Sequence, residues 1–433
     1  MESVWQRNLT RGAFDRLNGS KSTDVLIIGG GIAGILCAYR LYEAGISCTL
    51  LEAEEICSGI TKNTTAKITL QHGLIYDKLI GRFGYERAKA YLEAQSFAVE
   101  EYARLSRSVQ CDYEKKDSYV YSLTDTKRIE REIKALALLG LKAEYSQAEE
   151  LPFQVAAAVK VKDQAQFDPL KFIYSIAEGL PIYERTKVRE FIPGAVKTEN
   201  GEVRYKKAIV ATHFPILNKH GVYPLKLYQH RSYVLALKNA DMIDGMYVDE
   251  SEKGMSFRTY RDLLLVGGGS HRTGKSGGGF SELEAFKKDY YPDAQTVYRW
   301  ATQDCMTLDG VPYVGRYSKA TKNLFVVTGF NKWGMTSSMV AATVLLDLVR
   351  ERKNEYASLF SPSRSILRPQ LAVNAFESLI GLLTPTAPRC PHLGCALKYN
   401  RQEHSWDCPC HGSRFSESGE LIDNPATDGK RIN

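Results

Sequence analysis

The residues that most restrict the fold lie near the start of the chain. An apolar run, Thr23 to Ile28, passes directly into Gly29-Gly30-Gly31-Ile32-Ala33-Gly34, and an apolar-periodic stretch from Ile35 to Ala44 follows. The run reads as a buried parallel strand and the periodic stretch as a helix. G-x-G-x-x-G in that setting is a phosphate-binding turn. Gly29 permits the tight turn, Gly31 lets the backbone approach a pyrophosphate, and Gly34 lets helix and strand pack closely. Unpaired N–H groups and the positive dipole end at the helix N-terminus favour the phosphates. A second strand, Cys48 to Leu51, ends at Glu52, eighteen residues past Gly34, where a carboxylate would meet a ribose hydroxyl. The acid favours an unphosphorylated adenosine ribose, so FAD or NAD rather than NADP. The glycines alone are weak evidence. Strand, glycines, helix, strand and acid in series make a dinucleotide-binding βαβ unit.

The other end of the chain carries a different chemistry. Cys390-Pro391-His392-Leu393-Gly394-Cys395 is followed by Cys408-Pro409-Cys410-His411-Gly412-Ser413, so that C-x-H and C-x-x-H stand fifteen residues apart. Two Cys and two His also suit tetrahedral zinc. The pattern resembles the Rieske [2Fe–2S] signature more closely, because six residues at these positions, with the flanking Leu-Gly and Gly-Ser, exceed what zinc needs. The resemblance implies that Cys390 and Cys408 hold one iron, that His392 and His411 hold the other, and that a Cys395–Cys410 disulfide clamps the two loops. Neutral imidazoles raise the potential of such clusters to roughly −150 to +300 mV, against about −400 mV for all-Cys plant-type clusters. Asp423-Asn424-Pro425-Ala426 resembles the family's proline loop. There are two departures. Only Thr384 to Arg389 separate an expected helix, Leu371 to Leu383, from Cys390, so a shortened cluster-binding subdomain leaning on the rest of the protein is expected. Ser413 is present to bond a bridging sulfide, but Phe415 stands where high-potential members have Tyr, which implies one hydrogen bond fewer and an intermediate potential.

Between these ends the chain resembles the D-amino-acid oxidase and glycine/sarcosine oxidase superfamily of flavoproteins, with motifs in order over residues 20–350. They are the hydroxyl-rich segment Ser58 to Thr69, the strand Lys206 to Thr212, the Thr307–Gly315 turn of D-G-x-P-x-x-G type, the strand Leu324 to Thr328, and Gly329 to Thr336 leading into a helix to about Val349. The resemblance makes FAD the expected cofactor. It places Gly29, Gly31, Ile32, Ala33, Gly34, Glu52 and Ala53 on the adenosine and pyrophosphate. Thr61, Thr65, Ala66 and Lys67 then run along the FAD and under the flavin ring. Val188, in an expected strand Thr186 to Val188, meets the adenine, with Ala211 and Thr212 toward the adenosine. Gly329, Lys332, Trp333, Gly334, Met335 and Thr336 lie at the flavin edge, where the helix dipole stabilises reduced flavin.

The expected fold class is α/β: a Rossmann-type, glutathione-reductase-like FAD domain, an α+β antiparallel-sheet substrate domain, and a small all-β cluster subdomain. The FAD domain is expected at 1–75, 155–215 and 305–350, the substrate domain at 76–154 and 216–304, a linker and helix at 351–383, and the cluster domain at 384–433. Gly267-Gly268-Gly269 is not read as a second dinucleotide turn, because no helix is expected after it and Gly274 to Gly279 looks like loop. With 433 residues, 44% hydrophobic and 25% charged, an ordinary globular core is available. The net charge of +7 is not clustered, so no nucleic-acid partner is expected. No apolar run follows Met1 and Met339 to Val349 is too short to span a bilayer, so a cytoplasmic protein without a membrane span is expected. Of the nine cysteines, Cys37 and Cys48 are expected to be small buried hydrophobes, with Cys57 and Cys111 also structural. Cys305 lies near a place where some sarcosine oxidases attach flavin, but the match falls nearer Trp300, so non-covalent FAD is expected.

The activity these features imply is hydride transfer from a small amine or amino acid to flavin. Single electrons would then pass to the cluster and an external acceptor. Hydride transfer requires positioning more than an acid–base pair. Lys67, Lys332 and Trp333 are candidates at the flavin edge, and His271 and Arg272 for a substrate carboxylate. His72, His213 and His230 are expected to be structural. Gly267 stands where some family oxidases carry an oxygen-activating Lys, which disfavours an oxidase. The rival readings are an oxidase using O2 with a structural or sensing cluster, and an electron-transfer flavo-iron-sulfur protein without a small substrate. A Rieske oxygenase is excluded, because the sequence shows no separate mononuclear-iron domain.

Overall fold

The computed structural model describes residues 2–7, 11–385 and 388–429. Two large sheets and one small one organise the chain. In the first sheet, Leu324–Thr328, Glu202–Val210, Lys21–Ile28, Cys48–Leu51 and Ile182–Tyr183 lie side by side and parallel. Central strands of this kind are buried on both faces, which is why Leu26-Ile27-Ile28 is uniformly apolar rather than alternating. Tyr313–Arg316 closes one edge antiparallel, and a hairpin of Glu190–Ile192 and Ala195–Lys197 joins Glu202–Val210. Thr186 to Val188 is not the strand the sequence suggested but part of the connection between Ile182–Tyr183 and Glu190–Ile192. The helices Ile32–Glu43 and Gly334–Val349 pack together in the largest hydrophobic core. The second of them is buried by protein, not by lipid, and among the described residues no helix is long and apolar enough to cross a membrane.

The second sheet runs Gln295–Thr307, Leu227–Lys238, Leu263–Arg272, Ser256–Tyr260, Met246–Asp249, Glu114–Ser122, Ala157–Gln166, Lys67–Ile68. Its neighbours are antiparallel except for the parallel pair Met246–Asp249 and Glu114–Ser122, so the sheet is mixed rather than purely antiparallel. Ala157–Gln166 and Lys67–Ile68 belong here, not with the dinucleotide segments expected at 155–215 and 1–75. Ala157–Gln166 pairs along nearly its whole length with Glu114–Ser122, and that pairing decides its place. The triple glycine 267–269 lies inside the Leu263–Arg272 strand, with Gly267 paired on both sides and Gly268 on one; a helix, Gly279–Tyr290, does follow, but only after a loop.

Residues 351–370 are more than a linker. Arg364 forms a buried ion pair with Asp309 at 2.7 Å and donates to the Pro312 carbonyl, and Leu359 and Phe360 are buried. The helix expected at Leu371 to Leu383 spans Pro369–Leu383. Its apolar residues are largely exposed: Asn374 and Gly381 are buried, while Val373, Phe376, Leu379, Leu382 and Leu383 are exposed. The C-terminal domain is a four-stranded antiparallel sheet of Lys398–Asn400, Ser405–Asp407, Arg414–Ser416 and Leu421–Asp423. Its small core contains Cys390, Cys395, Cys408, Cys410 and Phe415.

Candidate functional site

A cavity of about 870 Å³ lies between the first two sheets. The glycine turn opens onto it. Gly34 sits behind the turn: a Cβ there would lie 1.9 Å from the Gly29 carbonyl oxygen, so only glycine lets this helix close on its strand. Gly31 lines the cavity, and a Cβ on it would meet only Thr61 Oγ1, at 3.4 Å, so the space it leaves belongs to whatever fills the cavity. The Ile32 N–H donates to Thr61 Oγ1 at 3.0 Å, which holds the 3-10 turn Ile60–Asn63 against the helix start. Glu52 also lines the cavity and accepts from the Gly30 N–H at 2.6 Å and the Glu54 N–H at 2.9 Å. Burial pushes its carboxyl above the ordinary value, with those amides opposing the rise. A cradle of this shape with an acid at its end fits a dinucleotide.

Most residues expected around the cofactor line this cavity: Gly29, Gly31, Ile32, Ala33, Glu52, Ala53, Thr61, Thr65, Lys67, Val188, Ala211, Thr212, Gly329, Lys332, Trp333, Gly334 and Met335. Three sit behind its wall. Gly34 packs the helix as described, Ala66 has its carbonyl bonded by Arg258 at 2.8 Å, and Thr336 is bonded to His72 and the Thr69 carbonyl. Lys67 Nζ donates to Thr65 Oγ1 at 3.3 Å, and burial, aided by the nearby Arg258 charge, lowers its ammonium to about 7. His72 is bonded on both sides, to Tyr91 and Thr336, and stacks on Trp333 at 5.1 Å. The Cys305 thiol is buried and bonded to Thr328 Oγ1, and burial raises it to about 12.

His271 and Arg272 do not line this cavity but a smaller one that shares Glu252 and Ser270 with it. Arg272 reaches the other way, donating to the Pro409 and Cys410 carbonyls at 3.3 Å and to Asn374 at 3.0 Å, and His271 bonds Tyr233. Arg272 therefore tethers the second cysteine–histidine loop. One charged group that does face the cavity, Asp304, was missed by sequence reasoning. Its carboxylate makes no hydrogen bond to the described residues, and burial raises it to about 6 despite Lys332 and Arg231 nearby. Lys332 donates to Ser270 Oγ at 3.1 Å, and burial lowers its ammonium.

The cysteine–histidine loops sit on the far side of the same sheet. Side chains alternate along a strand. On Leu227–Lys238, Tyr228 and Ser232 line the cavity while Gln229 and Arg231 face the C-terminal domain; on Gln295–Thr307, Thr302 and Asp304 line it while Gln303 faces away. Gln229 Nε2 donates to the His411 carbonyl and Gln303 Nε2 to the Gly412 carbonyl, at 3.0 and 2.9 Å. Gly412, at φ +89°, passes so close that a Cβ would stand 2.7 Å from Gln229 Cβ. Arg231 and Glu403, both 3% exposed, form a buried ion pair across the contact. Besides the short stretch before Cys390, the sequence signal for this docking is the polar run Gln229-His230-Arg231-Ser232 inside a strand with apolar ends, which places polar groups on both faces.

Cys395 and Cys410 form a disulfide. The Cys408 sulfur lies within 4.8 Å of both, but a disulfide offers no thiolates, so this trio is not a ligand set. Cys390 and Cys408 are close enough to share a hydrogen bond. The Nδ1 atoms of His392 and His411 are buried without a hydrogen-bond partner among the described residues. Burial keeps the rings neutral, lowering His392 to about 4 and His411 to about 3. Two thiols and two orphaned neutral imidazole nitrogens, clamped by a disulfide, fit a two-Cys, two-His iron–sulfur cluster. Ser413 Oγ bonds toward Cys390 and accepts from the Ala426 N–H at 2.9 Å, and Phe415 is fully buried.

Comparison with known proteins agrees with both halves. Residues 24–348 match the model of the FAD dependent oxidoreductase family and residues 373–432 that of the Rieske [2Fe-2S] domain. A Bacillus subtilis (strain 168) protein, YhfW, whose name describes a Rieske 2Fe-2S iron-sulfur protein, is 33% identical over 98% of this chain and 96% of its own. The gamma-glutamylputrescine oxidoreductase of Escherichia coli (strain K12) is 24% identical over 84% of this chain and 93% of its own. The crystal structure of glycine oxidase from Geobacillus kaustophilus superposes with a TM-score of 0.66 at 18% identity, over 80% of this chain and 100% of that one, a likeness of fold. The chain belongs to the FAD dependent oxidoreductase family and carries, after its flavoprotein part, a Rieske [2Fe-2S] domain.

Proposed function

We propose that this oxidoreductase is a dehydrogenase that oxidises a small amine or amino acid and delivers the two electrons singly, by way of the cluster, to an external acceptor. FAD supplies a two-electron hydride acceptor and the Rieske cluster a one-electron carrier. One observation carries the reading: the FAD cavity and the cluster loops occupy opposite faces of the same two strands, Leu227–Lys238 and Gln295–Thr307. A purely structural cluster has no need of a place one strand-layer from a flavin.

The cavity's polar groups support the donor class. Asp304 is a carboxylate without a protein partner and suits a substrate ammonium, while Lys332 beside it suits a carboxylate. An amino acid uses both groups and a simple amine one. Trp333, stacked on His72, and Lys67, which donates to Thr65 Oγ1, line the same cavity. The gamma-glutamylputrescine oxidoreductase and glycine oxidase comparisons, by their names, point to the same donor class. Gly267 lines the cavity with Ser256 Oγ 2.7 Å from where a Cβ would stand, so no side chain projects there.

The test uses a cluster-free variant, Cys408→Ser, with FAD retained. With a substrate identified by flavin bleaching, the account expects the variant to keep substrate-driven flavin reduction and to lose turnover with a one-electron acceptor. Equal turnover with and without the cluster, or rapid O2 consumption by both, would establish the oxidase instead. Asp304→Asn should raise KM for amine donors by about tenfold or more, as expected for loss of a charge-assisted contact; an unchanged KM removes Asp304 from the reading.

A further inference from the structure

The adenosine end of the FAD cavity has walls from two domains. On one side stand Lys187, Val188, Ala211 and Thr212 of the flavoprotein; on the other stand residues 421–424, 426 and 427 of the Rieske domain. These are not incidental neighbours. Asn424 Nδ2 donates to the carbonyls of Thr212 and, at 3.0 Å, Phe214, in the segment that leaves the Glu202–Val210 strand toward the cofactor. The Asn424 carbonyl accepts from Gln229 at 3.0 Å. Lys187 Nζ donates to the Thr427 carbonyl and to Asp428 at 3.1 Å, and Arg189 pairs with Asp428 at 2.8 Å. From the same loop the Ala426 N–H donates to Ser413, one residue past the ligand loop's Gly412. A continuous bonded path thus joins the adenosine end of one cofactor site to the ligand loop of the other.

We propose that the Rieske domain's 421–427 segment is a wall of the FAD site, so that FAD binding and docking of the Rieske domain form one coupled equilibrium. The chemical group it meets is the adenosine half of the dinucleotide. Coupling of this kind is reciprocal: FAD holds the domain against the sheet, and the docked domain holds FAD. The inference is independent of the substrate and of the acceptor.

The experiment titrates flavin-free protein with FAD and separately with ADP, which carries the adenosine half alone, following flavin fluorescence for one and competition for the other. Iron and acid-labile sulfide are assayed on each sample. Asn424→Ala should weaken FAD and ADP alike, by about tenfold, with full iron and sulfide content. Glu417→Gln, an exposed change in the same domain that does not line the cavity, should leave both affinities unchanged. If Asn424→Ala loses the cluster, Arg189→Met decides, because it loosens the same segment from the flavoprotein side. Weaker FAD and ADP with an intact cluster supports the inference. FAD and ADP affinities within twofold of wild type in both variants overturn it, as does weakened FAD with unchanged ADP.

Discussion

Replacing Arg231 by Met tests the docking on which the proposed electron route depends. The Arg231 guanidinium donates to both Glu403 oxygens, the Nε contact being 3.1 Å, and stands 3.8 Å from Asp423. Both members of the pair are 3% exposed. Breaking a fully buried pair costs about 3–5 kcal/mol when the remaining charge is left uncompensated. Glu403 would not be bare here. Arg414 reaches it at 2.9 Å and the Tyr233 hydroxyl donates at 2.8 Å. Methionine also keeps most of the buried volume. The loss should therefore be nearer that of charge-assisted hydrogen bonds, about 2–3 kcal/mol. Confined to the domain contact, this is roughly a 30- to 150-fold rise in the undocked population. Amide hydrogen exchange should show it as faster exchange along Gln229–Arg231 and Gln303, with the central strand Lys21–Ile28 unchanged. The pH dependence follows. Burial pushes the Glu403 carboxyl up, but Arg231 and Arg414 override it and hold it below the ordinary value. A depressed carboxyl contributes stability above its unfolded value near 4.3 and loses it as pH falls through the lower folded value. Without Arg231 the folded value rises toward the unfolded one, so this acid loss should be smaller and complete at higher pH. Unchanged exchange at the contact, together with an unchanged acid limb, would refute the argument.

Other residues give equally direct tests. Gly34→Ala should abolish FAD retention, since its Cβ would overlap the Gly29 carbonyl oxygen, while the Rieske domain's iron content survives; FAD content by absorbance checks this. Burial, with the Arg258 charge, depresses the Lys67 ammonium to about 7. The folded state then binds fewer protons than the unfolded chain between about 7 and the unfolded value near 10.4, so stability of the flavin-free protein should rise with pH across that window. Lys67→Met should flatten the rise in urea unfolding.

The two ends of the chain were legible for different reasons. The turn at Gly29–Gly34 could be read because each glycine answers a local steric demand, and the strand before it is apolar because both faces are buried. The two cysteine–histidine loops could be read because a ligating set fixes residue type and spacing within two short stretches. What the sequence concealed is long-range pairing. Ala157–Gln166 is a largely buried strand that could sit in either sheet, and only its partner Glu114–Ser122 assigns it to the second. Arg272 looked like a carboxylate binder because its chemistry suits one, yet the carbonyls of Pro409 and Cys410 lie within its reach and claim it. Asp304 went unseen because nothing in Thr302-Gln303-Asp304-Cys305 tells which face of the strand looks into the cavity. That is decided by register with Leu227–Lys238.

The most direct test of the account is an anaerobic titration of the purified protein with candidate amines and N-methyl amino acids, read by absorption and low-temperature EPR. The account predicts that a donor which bleaches the flavin also brings up the reduced Rieske signal, in the proportion set by the two electrons delivered. A flavin fully bleached by substrate while the cluster stays oxidised, in protein whose cluster a chemical reductant does reduce, would contradict it.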